Sequence, residues 1–292
     1  MTYFNFLFYL VFASQVFLVS FYYPNRILER TRQVVAKFPP QSHPKLYPKP
    51  LEYYAKAQRN YRIINGLIFL IGLILLGTVI SWDYNSGVNQ KHAEAMPLFY
   101  GIVQFFPFIL LELSGFKQFK LMREADKRTT RKATLQPRRL FDFISPIYIW
   151  LALITFLSYV LFELYMPDLR FHWDSDALIR ISSLVVCNLL FAAIILWNIY
   201  GKKLDPYQAS KDRIRQTEFT FKSLVFTSMA VSLFFIATII VDKFGFDKIE
   251  IIINSLYFQL VALLGAGTML RNLRIENIDF DVYKEDAATT KA

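Results

Sequence analysis

Histidine and cysteine are nearly missing from this chain, with three and one among 292 residues. The single cysteine, Cys187, cannot close an internal disulfide, and no Cys–Cys or Cys–His metal spacing exists. His43, His92 and His172 all fall outside the long apolar runs, which argues against haem held between membrane helices. No glycine-rich nucleotide loop, His-Glu-x-x-His or Gly-x-Ser-x-Gly occurs. His172, Asp174 and Asp176 have ligand-like spacing, but three residues of one exposed loop are a weak signal. Neither a metal nor any other cofactor is assigned. Charge is scarce too, at 19% against roughly 25% in a soluble domain.

Apolar length is what the chain has instead. It is 54% hydrophobic and 17% aromatic, and a hydrocarbon core of ~30 Å needs about 20 apolar residues as helix. Seven runs reach that length: 3–23, 63–82, 97–115, 145–165, 178–200, 224–241 and 250–270. In lipid every backbone polar group must be satisfied within the segment, so each run is predicted as a helix. The expected fold is an all-α polytopic bundle of seven spans over residues 1–270, followed by a tail at 271–292. No basic residue precedes the first run and no small-residue cleavage site follows it, so it reads as a retained helix rather than a signal peptide.

Charge orients the spans. Segments 24–62, 116–144, 201–223 and 271–292 carry 28 of the 33 Lys and Arg. One side then bears about +14 and the other about −4, the pattern of the positive-inside rule. The N-terminus is expected outside and the C-terminus in the cytosol. The excess of +10 is read as orientation and contact with anionic lipid, not as nucleic-acid binding. Trp82, Tyr84, Trp173, Tyr22, Tyr23, Trp197 and Tyr200 stand at span ends, where amphipathic rings prefer head-group depth. Short loops and no targeting signal suggest a bacterial inner (cytoplasmic) membrane.

The basic side is elaborate. From Pro24 to Phe38 the apolar positions Ile27, Leu28, Val34, Val35 and Phe38 follow a helical period among basic residues, which predicts an amphipathic helix at the membrane surface. Five prolines between Pro39 and Pro50 then impose an extended, semi-rigid stretch, a spacer or a docking site. The third loop holds nine Lys and Arg, among them Arg123, Arg128, Arg131, Arg138 and Arg139, expected to touch lipid phosphate. No Gly or Pro interrupts 116–134, so the third span is expected to project until Pro137. In the tail, Ile278, Phe280 and Val282 alternate with polar residues, a strand-like period that needs a mate from another loop or a partner protein.

Inside the membrane the polar groups are few. No Lys, Arg or Asp lies mid-span, which counts against a proton pump or carboxylate-based cation transporter. Residues 250–270 contain no lysine, so the Schiff-base chemistry of seven-helix rhodopsins is excluded. Gln15, Gln104, Asn188 and Gln259 lie roughly 10–18 Å deep on the first, third, fifth and seventh spans. They are expected to share one midplane cluster, acting either as interhelical glue or as a site for a neutral or amphipathic solute. Glu112, one turn beyond Pro107, is the lone candidate acid for catalysis. Glu163 and Arg180, near the outer ends of spans four and five, are expected to pair.

The loop plan is similar, at the level of topology, to the 3+1+3 repeat of SWEET-type sugar transporters, with the fourth span as linker. The Pro-Gln signature of that family is missing from the helices that should hold it. The function expected is a non-enzymatic bundle, either a subunit of a membrane assembly with a partner at its cytosolic loops or tail, or a solute carrier. The alternative is a lipid-binding protein, or an enzyme acting on a phospholipid or isoprenoid phosphate.

Overall fold

A computed structural model describes residues 3–85, 90–126, 128, 139–166, 169–171, 173–201 and 204–285. Arg131, Arg138, His172 and the side chains of Trp82 and Tyr84 lie outside the described residues. Helices dominate, and no strand occurs among the described residues. The order is α1 (Tyr3–Phe17), a π-turn (Leu18–Tyr22), α2 (Tyr23–Lys37), α3 (Leu51–Asn85), α4 (Gln90–Ala125), α5 (Pro146–Tyr165), α6 (Ser175–Tyr200), α7 (Ser210–Lys243), α8 (Asp247–Ala262), a second π-turn (Leu263–Gly267) and α9 (Thr268–Asn272). Among the described residues seven helices are long and apolar enough to cross a membrane.

The spans sort into two packed groups. Helices α1, α3, α4 and α8 enclose one core of Phe8, Phe12, Val16, Tyr100 and Ile252, with Val19, Tyr23 and Ala262 nearer the basic end. Helices α5, α6 and α7 enclose another, centred on Tyr159, Leu184, Val231 and Phe221. The groups meet where α7 lies on α8; there Phe234 stacks on Tyr257 with centroids 4.2 Å apart. This arrangement corrects the 3+1+3 expectation. The fourth span, α5, is packed along α7, and the seventh, α8, belongs with the first and third.

Local sequence explains the turns. α7 ends at Gly245, whose φ of +67° is the left-handed conformation that only glycine adopts without strain. The N–H of Phe246 then reaches the Val241 carbonyl (2.9 Å) and that of Gly245 the Asp242 carbonyl (3.1 Å), closing the helix end. Asp174 caps α6, accepting from the Ala177 N–H at 2.6 Å. Trp173, Trp197 and Tyr200 point outward. Tyr23 does not, since it is buried against Ala262 and beside Gly267.

The basic end differs from expectation in three ways. α2 is not a separate helix lying on a surface. The backbone stays helical from α1 through the π-turn, and Ile27 and Leu28 are buried by protein. α4 stops at Ala125, well short of Pro137. The tail is not a strand but two 3₁₀ turns, Ile275–Asn277 and Asp281–Tyr283. Its apolar residues fold back into a small core with Met122, Tyr207, Phe38 and Leu46.

Candidate functional sites: a closed polar cluster and an arginine-lined cavity

Three of the four midplane amides meet. Gln15 donates its Nε2 to Gln104 Oε1 at 2.8 Å and accepts on Oε1 from Ser255 at 2.6 Å. Gln104 donates to Ser20 Oγ at 2.8 Å and to the Gln15 carbonyl at 3.3 Å. Gln259 donates to the Val11 carbonyl at 3.0 Å and accepts from Ser14 at 3.1 Å. Tyr100 extends the chain, lying 3.3 Å from Ser20 Oγ and donating to the Ile68 carbonyl at 2.9 Å. The cluster ties α1, α3, α4 and α8 together. Gln15 and Gln104 are almost fully buried, and both ends of each amide are engaged.

Ser14, Ser20, Tyr100 and Ser255 complete this network without having been singled out. Their signal was spacing: Tyr100 and Ser255 each stand four residues before a glutamine, on the same helical face. Ser14 adjoins Gln15. Asn188 is not part of the cluster. It accepts from Ser228 of α7 at 2.5 Å, and its Nδ2 has no partner. Odd-numbered spans run the same way, but direction does not bring α6 to the others.

The remaining candidates scatter. Glu112 is exposed on α4 and is not among the residues that line the cavity at the basic end. Glu163, nearly fully buried, accepts from Arg180 Nε at 2.6 Å and joins α5 to α6. Arg128 is committed within the protein: it forms a two-pronged pair with Asp126 (2.7 and 3.0 Å), donates to the Pro206 carbonyl (2.9 Å) and lies over the Tyr207 ring. Arg123 and Arg139 are exposed at the basic end. Among the described residues no group of His, Cys, Asp and Glu is placed to hold a metal.

At the basic end the cap is held by specific contacts. Phe38 stacks on Phe280 with centroids 4.0 Å apart. Tyr283 donates its hydroxyl to Asp205. Burial, and then the Asp205 carboxylate, pushes the Tyr283 phenol well above its ordinary range, so it stays a donor. Asp212 accepts from the Asp279 N–H at 2.8 Å, and Arg215 donates to the Asn277 carbonyl at 2.7 Å. Tyr47 donates to the Phe38 carbonyl (2.8 Å), and Gln118 to the Leu46 carbonyl (3.0 Å). The proline stretch is thereby clasped against α4. Between this cap and the spans, α2 and the end of the seventh span flank an open cavity of about 390 Å³, lined by Arg26, Arg30, Arg271 and Arg274.

Comparison with known proteins finds no matching family model, no matching curated sequence and no matching solved structure.

Proposed function

We propose that this integral membrane protein is a non-enzymatic subunit of a membrane assembly, and that its basic end is a cytosolic platform for a protein partner. One observation carries this reading. Four helices continue past the apolar spans at the basic end: α2, α3 from Leu51, α4 to Ala125 and α7 from Ser210. At 1.5 Å per residue these overhangs are roughly 15–22 Å long, beyond the depth of a head-group layer. The tail and the proline stretch lock their tips into one folded surface. A bundle that only sits in lipid gains nothing from such rigid projections.

The midplane supports the same reading. Gln15, Gln104 and Gln259 are engaged by one another, by serines and by backbone carbonyls, which fits interhelical glue better than a solute site. The positive-inside bias supports a cytosolic basic face, and a bacterial cytoplasmic membrane is consistent with that reading.

Native mass spectrometry of protein gently extracted from its own membrane tests the proposal. A stable heteromeric complex is expected. Reversing the exposed charges Lys56 and Arg59 on the α3 overhang to glutamate should weaken it without lowering the thermal stability of the isolated chain. A lone chain, or a homo-oligomer holding a small solute, would overturn the subunit reading. The alternative, a lipid-binding role, is favoured by the arginine cavity.

A further inference from the structure

The cavity at the basic end has features that packing alone does not account for. Arg26 and Arg30 stand four residues apart on α2, and Arg271 and Arg274 three apart where the seventh span ends. The first spacing stacks two like charges on one face of α2, an arrangement that destabilises an isolated helix; Arg274 stands just past the end of α9, on extended backbone. Four arginines face two glutamates, Glu29 and Glu276, so the lining keeps a net +2. Arg26 is paired with Glu29 at 3.1 Å. Arg30, Arg271 and Arg274 have no carboxylate within ion-pair distance among the described residues.

The backbone on both walls is irregular at the same level. The π-turn Leu18–Tyr22 leads directly into α2, and the π-turn Leu263–Gly267 leads into α9. A π-turn takes in an extra residue and so rotates everything after it relative to the span before; such turns are frequent at functional sites. Gly267 of the second turn lies under the hydroxyl of Tyr23, the first residue of α2, where an added Cβ would sit 3.0 Å away. Both arginine pairs line the one cavity that follows these turns.

We propose that this cavity is a binding site for a phosphate-bearing ligand, held between the guanidinium groups of α2 and of the seventh span's end. Planar guanidinium forks match phosphate oxygens two at a time. A basic pocket between membrane helices on the cytosolic side suits a phosphate head group, and about 390 Å³ lies within the usual range for small-ligand pockets. An anion between the pairs offsets the net positive charge of the lining. The same chemistry could be met by a lipid head group or by a free phosphate compound. The site is distinct from the basic third loop and does not depend on the partner proposal.

The test uses the full chain in nanodiscs. One arm compares discs of neutral phosphatidylcholine with discs containing phosphatidic acid, reading the lipid retained after extraction by native mass spectrometry. The other adds inorganic pyrophosphate to protein in neutral discs and reads the shift in Tm. Wild type should retain phosphatidic acid, or be stabilised by pyrophosphate. The Arg30→Gln/Arg274→Gln variant should bind roughly tenfold more weakly or worse, while Lys56→Gln/Arg59→Gln, outside the cavity, should bind as wild type does. Should the glutamine pair fail to fold, Arg30→Lys/Arg274→Lys keeps the charge, loses the fork, and should still weaken binding. A response confined to the lipid arm identifies a head group, and one in the pyrophosphate arm a soluble phosphate. No response in either arm, or equal losses in the cavity and control variants, would overturn the proposal.

Discussion

Gln104 accepts from Gln15 and donates to Ser20, so replacing it with leucine leaves a buried amide and a buried hydroxyl short of partners. In a membrane such bonds contribute modestly, about 0.6 kcal/mol on average and up to about 1.7. Gln104→Leu should therefore lower the Tm of the purified protein by a few degrees and leave it able to assemble. A variant of unchanged Tm that had lost activity would instead assign the amides to a solute. The same arithmetic explains why the glutamines were visible in the sequence and the serines were not. An amide in an apolar run stands out, whereas a serine is unremarkable until its partner is known.

Glycine spacing on α3 shows what an element hides. Gly66, Gly72 and Gly77 look equivalent in the sequence, yet only Gly72 lies at a close crossing. A Cβ there would sit 2.1 Å from the Tyr100 hydroxyl and 2.8 Å from Val16, while Gly66 and Gly77 meet nothing within 4 Å. Gly72→Leu should push α4 from α3, break the Tyr100–Ile68 bond, and cost about 1–3 kcal/mol or more by overpacking. Gly66→Leu faces open space and should change stability by less than about 0.5 kcal/mol. Thermal unfolding of the two variants side by side checks the contrast. Equal losses would mean that the α3–α4 crossing is not the constraint. Periodicity misled in the tail for a related reason. The alternating Ile278, Phe280 and Val282 pack into the cap together with Tyr283 and do not pair as a strand.

Across the whole molecule, the cap joins the first and last segments of the described chain. Tyr283→Phe removes the donor to Asp205, whose other oxygen still accepts from Tyr207. A buried acceptor left short costs about 1–3 kcal/mol. Hydrogen exchange at 275–285 should accelerate, together with that around Phe38, while the midplane of α1 and α8 stays protected. Unchanged exchange would show that Phe280 stacking alone holds the tail. The two sites differ at the same scale. Gln15 and Gln104 are buried and engaged at both ends, whereas at the basic end Arg30, Arg271 and Arg274 have no carboxylate within ion-pair distance among the described residues, Glu276 acting on Arg30 only from farther away.

The sequence by itself determined that there are seven spans, where they lie and that each is helical, because lipid leaves a backbone no other way to satisfy its hydrogen bonds. Charge asymmetry also implied which ends lie together. Only the tertiary structure decided that the seventh span packs with the first and third and that Asn188 stands apart from the other amides. It alone brought Arg26 and Arg30 into one cavity with Arg271 and Arg274. Hydrophobicity fixes depth in a bilayer but not neighbours, since one apolar face serves lipid and another helix equally well. Neighbours are chosen by close crossings such as Gly72 against Tyr100, by amide pairs and by π-turns, all of which depend on residues far apart in the chain.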